Sequence, residues 1–170
     1  MEDKIIESIA YILPAAVTGF VAYYMFNGFI NNKISEKKLE LLAQQKKESL
    51  PIKLQAYERL MLFCDRINPV KMLMRIPPIS TDTKDYLDLL IANINQEFEH
   101  NLVQQIYISE DTWIAIYASK NAVTNKLKQI AETATSADNL RESVLIEYSK
   151  TIPPTETAID FIKSEVRKLL

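Results

Sequence analysis

Glycine is almost missing from this sequence: of 170 residues only Gly19 and Gly28 lack a side chain. Everything after residue 30 must fold without the left-handed turns and close backbone approaches that glycine permits. Phosphate-cradling Gly-x-x-x-x-Gly-Lys and Gly-x-Gly-x-x-Gly loops do not occur, and tight two-residue hairpins are disfavoured. Histidine and cysteine occur once each, as His100 and Cys64. A Ser-His-acid or Cys-His arrangement would depend on that one imidazole. Cys64 has no partner for an internal disulfide, which agrees with a reducing compartment. A formal net charge of −2 gives no electrostatic case for nucleic acid as a partner.

Charge is also missing locally. Between Ser8 and Asn32 no side chain is charged, and most are apolar or aromatic. A spanning helix needs about 20 predominantly apolar residues, so a single transmembrane helix is expected over 9–30. The tail before it, 1–8, is acidic on balance, and no small-residue cleavage site comes after it, which argues against a signal peptide. Lys33, Lys37, Lys38, Lys46 and Lys47 lie after the stretch, against Lys4 before it. Such flanks stay cytoplasmic, so the tail is expected outside and the rest in the cytoplasm. Tyr11 at one end and Tyr23, Tyr24, Phe26 and Phe29 at the other suit the two membrane interfaces. Ala15 with Gly19, and Thr18 with Ala22, form small-x-x-x-small pairs that let helices approach in lipid. Lys33, Lys37 and Lys38 are candidates for lipid headgroup contact.

The rest of the chain is polar and helical in pattern. Residues 31–50 read as a polar stalk, rich in Lys, Glu and Gln. Pro51 is expected to interrupt it, and 51–170 to form a compact cytoplasmic bundle of about five helices. Ala56, Leu60, Phe63, Cys64 and Ile67 recur at helical spacing, with Tyr57 and Met61 widening the face. Asn68 and Pro69 suit the cap and first position of a short helix. Ser80-Thr-Asp-Thr83 opens a helix with Leu87, Ile91, Ile94, Phe98, Leu102 and Ile106 down one face. Ser109 with Glu110 and Asp111 opens another; Leu140, Val144, Leu145 and Tyr148 mark a shorter one. Pro153-Pro154 precedes a last helix with Ile159, Ile162, Val166 and Leu169. The fold class is all-α.

Catalytic candidates are few. Glu97-Phe-Glu-His100 is one Glu-x-x-His pair, whereas di-iron bundles need two, and His100 falls off the apolar face. No metal, cofactor or catalytic residue is expected. The charged residues among the first soluble helices, Arg59, Arg66, Lys71 and Arg75 with Tyr57, form a candidate docking patch, though local pairing around the core is the simpler explanation.

The segments Leu54-Gln-Ala-Tyr-Glu-Arg-Leu60, Arg66-Ile-Asn-Pro69 and Leu73-Met-Arg-Ile76, behind an N-terminal span, resemble a family of short uncharacterised bacterial single-pass inner-membrane proteins. That resemblance implies an inner-membrane location and carries no activity. The function expected is a non-enzymatic, membrane-anchored helical module that binds a protein partner or itself at the lipid bilayer. Alternatives are a small accessory subunit of a larger complex, and an enzyme completed by a partner.

Overall fold

The computed structural model describes the backbone from Glu2 to Leu170 and the side chains of Pro14 and residues 16–170. It is all-helical: α1 (Glu2–Arg66), α2 (Pro69–Arg75), α3 (Thr83–Asn101), a 3-10 helix (Leu102–Tyr107), α4 (Glu110–Ala131), α5 (Ala137–Lys150) and α6 (Pro154–Leu169). The chain divides into two compact units between Ser49 and Leu50.

The first unit consists of helix α1 alone. Pro14 and every side chain over 16–49 are exposed. Among the described residues no helix is long and apolar enough to cross a membrane, so the span expected over 9–30 is not shown. Its apolar beginning, 9–13, and Ala15 lie outside the described residues. From Pro14 onward Tyr23, Tyr24, Asn27, Asn31 and Asn32 dilute the apolar side chains.

Pro51 does not end the helix as expected, because α1 is helical through it to Arg66. A proline removes one backbone hydrogen bond and crowds the carbonyl four residues earlier. Both Pro51 and that residue, Lys47, are exposed, so solvent can take the freed carbonyl. The true stop is Pro69. It disfavours the helical conformation at the residue before it, and Asn68 turns extended with ψ 122°. The Asn68 side chain then accepts hydrogen bonds from the backbone N–H of Val70 and Lys71 and opens α2.

The second unit, Leu50–Leu170, builds one core. Leu60, Phe63 and Cys64 of α1 meet Leu73 of α2, Leu90 and Ile94 of α3, Ile116 and Leu127 of α4, Leu140 and Val144 of α5, and Ile162 of α6. Helix starts obey the cap chemistry: Asp82, Ser109 and Ser136 each accept from backbone N–H groups of the turn they open. Helix α4 packs chiefly against α6, and α3 against α4 and α5.

The expected face of α3 is rotated. Tyr86, Leu90 and Ile94 are buried, while Leu87 and Ile91 lie at the margin. Leu102 and Ile106 are exposed because α3 stops at Asn101 and the chain tightens into the 3-10 helix. Three residues per turn instead of 3.6 move those side chains off the α-helical stripe.

Candidate functional site

The densest polar constellation sits on Glu165 of α6. Its carboxylate accepts from the Ser109 backbone N–H at 2.9 Å, the Ser109 hydroxyl at 2.8 Å, and the Thr112 hydroxyl. The Tyr57 hydroxyl supplies a further hydrogen bond. Burial alone would raise the Glu165 carboxyl, but the donors from Thr112, Tyr57 and Ser109 outweigh it and hold it below the usual carboxylate range. The same contact acts oppositely on Tyr57: burial first, then Glu165, pushes the phenol above its ordinary value.

A general base needs a free lone pair and a raised affinity for protons. Glu165 has neither, since its oxygens are taken by donors and its ionised form is favoured. What the cluster does is tie three elements together, α1 through Tyr57, the start of α4 through Ser109 and Thr112, and the end of α6. Ser109 also caps α4, accepting from the Thr112 N–H. Sequence reasoning missed Glu165, because an acid on α6 shows no periodic relation to a cap 56 residues earlier.

The expected docking patch divides. Tyr57 is 3% exposed and belongs to the core, correcting its place in a surface patch. Its ring lies on the buried face beside Leu60, and only its hydroxyl has polar work to do. Arg59, Arg66, Lys71 and Arg75 are exposed. Arg66 donates to both Glu97 oxygens at 3.0 and 3.1 Å. Arg75 donates to the Asn93 side chain and to the Arg66 carbonyl. Lys71 is paired with Asp65, which raises the ammonium above its ordinary value. Three of the four cations thus brace α1, α2 and α3 by local pairing. His100 is exposed, and no metal-holding group of three ligands occurs among the described residues.

On the first unit, Gly19 meets nothing within 4 Å of an added Cβ, and Ala22 is exposed. Thr18 donates to the Pro14 carbonyl at 2.6 Å, and Ala15 lies outside the described residues. Lys37 and Lys38 are exposed; Lys33 pairs with Glu36 at 3.3 Å and lies 6.0 Å from the Phe29 ring. The large apolar side chains around them have no cover: Phe20, Tyr23 and Tyr24 are each 64% exposed, Met25 71% and Phe26 67%.

The second unit carries a groove of about 490 Å³ between α4 and α6. Its floor is small, from Ala115, Ala118, Ser119 and Ala122, and its lips are Ile114 and Phe161. A smaller hollow of about 340 Å³ beside Tyr57 is lined by Leu54, Met61, Ile162 and Val166.

A family of unknown function, DUF7935, matches residues 3–169. The chain belongs to that family. No curated protein and no solved structure matches it. The DUF7935 match takes in α1 as well as the bundle, so the two units belong to one family unit in sequence.

Proposed function

We propose that this DUF7935 chain is a non-enzymatic, membrane-anchored helical module that binds a protein partner or a second copy of itself. The observation that carries the anchor is the exposed apolar run on α1, Phe20, Tyr23, Tyr24, Met25 and Phe26, with no charged residue between Ser8 and Asn32. Large apolar side chains grouped in this way mark a membrane or protein contact. The apolar residues over 9–13 extend the run toward the length of a single pass. Lys33, Lys37 and Lys38 then favour a cytoplasmic bundle and a tail outside, which in a bacterium places the chain in the inner membrane. The non-enzymatic half of the reading is supported by the saturated Glu165 carboxylate, and the interaction half by the open α4–α6 groove with its exposed Ile114 and Phe161.

A second reading, an accessory subunit of a larger membrane complex, is favoured by Gly19 and Ala22. They leave one side of α1 open to a close neighbouring helix. Fractionation of the full-length chain from its native membranes, then gentle-detergent pulldown with mass determination, tests both. Carbonate-resistant recovery in the membrane pellet is the expected result, and recovery in the supernatant would overturn the anchor. A stoichiometric foreign partner would select the accessory-subunit reading.

A further inference from the structure

We infer that the α4–α6 groove is the pairing surface for a second copy of this chain, with two α4 helices packed antiparallel about Ala118. A second copy is thereby the partner of the proposed interaction module, and the inference rests on that reading. The surface lies within Leu50–Leu170, so its failure is separable from failure of the anchor.

The groove has the shape that helix packing needs and the chain leaves unfilled. Ala115, Ala118 and Ala122 keep its floor low, which allows close approach of another backbone. Ile114 and Phe161 stand 57% and 44% exposed along its edges. Ser119 lines the floor, 4% exposed, and its hydroxyl has no hydrogen-bond partner. A buried donor left unmatched is unfavourable, and closure by a partner offers it an acceptor.

The case for a second copy is self-complementarity. An antiparallel pair centred on Ala118 brings residues at equal offsets level with each other. Ile114, four residues before the centre, then stands over Ala122 of the other copy, four residues after it, and the converse holds by symmetry. A large knob meets a small hole twice, as an isologous interface requires.

Charge agrees. Glu110 and Lys128 lie eighteen residues apart, about five turns, so they share one flank of α4. Measured from Ala118, Glu110 lies about 12 Å one way and Lys128 about 15 Å the other. Antiparallel pairing therefore brings each Glu110 within reach of the other copy's Lys128. On this face the exposed Asp111, seven residues before Ala118, lines the groove and comes level with the uncharged Asn125 of the other copy, while Lys120 is turned away over the Phe98 ring at 4.5 Å. The opposed helix directions also set each acidic first turn beside a basic last turn.

The test uses the full-length chain in mild detergent. Light scattering should return twice the chain mass, 19.5 kDa, after the detergent contribution is removed. Mild oxidation should link A118C into a covalent dimer at least tenfold faster than A92C, an exposed site on α3. Native Cys64 is buried and does not compete. A118R, at an exposed position, should halve the mass while leaving helicity unchanged. A monomeric wild-type chain would overturn the inference. So would a dimer that survives A118R, or one in which A118C and A92C link at equal rates.

Discussion

Phe26 and Phe63 are the same residue type on the same helix, α1, yet Phe26 is 67% exposed and Phe63 1%. Phe63 meets Phe98 at 5.9 Å between ring centroids, and Phe98 in turn stacks on Trp113 at 5.6 Å. Phe26, in the first unit, is left exposed. The difference teaches that helix α1 has two kinds of apolar surface. One is satisfied by the fold. The other stands exposed, which is why that half carries the anchoring proposal and the buried half carries stability.

The sharpest way to break that comparison is to truncate both rings. Phe63→Ala should cost about 3–5 kcal/mol of unfolding free energy, read by urea titration of the full chain in detergent. Phe26→Ala should leave the bundle within about 0.5 kcal/mol of wild type and instead weaken vesicle binding. Equal losses from both would mean that α1 is buried along its whole length by something the fold does not supply.

Next in size is the carboxylate that ties α1, α4 and α6. Glu165→Gln keeps the shape but turns an amide donor toward Ser109 or Thr112, and should cost about 1–3 kcal/mol. Because the Glu165 carboxyl is held low, its contribution is present above the ordinary carboxyl range near pH 4 and is lost as the pH falls below it. The variant should flatten that acid limb.

The alkaline side has the opposite sign. Burial pushes the Cys64 thiol up to about 12 and raises the phenols of Tyr57, Tyr86 and Tyr148. Below the ordinary thiol and phenol values these groups are neutral in both states and stability is flat. Above them the unfolded chain ionises while the fold keeps its protons, so stability falls as pH rises. The melting temperature should hold from pH 6 to 8 and drop from roughly pH 9 onward. A flat profile to pH 11 would mean these groups are wet.

The smallest effects come from the turn and the surface. Asn68→Ala removes the α2 cap and a hydrogen bond to the buried Thr155 hydroxyl at 3.3 Å, and should cost about 1 kcal/mol. Arg66→Ala breaks a pair whose arginine is 54% exposed, and should cost about 0.5 kcal/mol or less.

Much of this architecture was legible in the residues. The caps at Asn68 and Ser109 and the break at Pro153-Pro154 are local chemistry, and local chemistry reads directly from sequence. The α1 core stripe was legible too, since Leu60, Phe63, Cys64 and Ile67 keep strict helical spacing. The α3 face was not, because Leu87, Ile91 and Leu102 fit the same period as Tyr86 and Leu90, and only neighbouring helices decide which stripe turns inward. Pro51 misled because a proline at a solvent-exposed position can be absorbed by a helix. Glu165 and the α4–α6 groove depend on two helices meeting across more than thirty residues of chain, and no window of sequence contains both.

Above all, the exposed apolar half of α1 should lie in lipid. Single spin labels at positions 20, 26, 39 and 62 of the full chain, reconstituted in vesicles, test this by relaxation with oxygen and with a water-soluble nickel chelate. Labels at Phe20 and Phe26 should favour oxygen, and those at Leu39 and Leu62, equally exposed in the fold, should favour nickel. The same aqueous accessibility at all four sites would contradict the anchoring of α1.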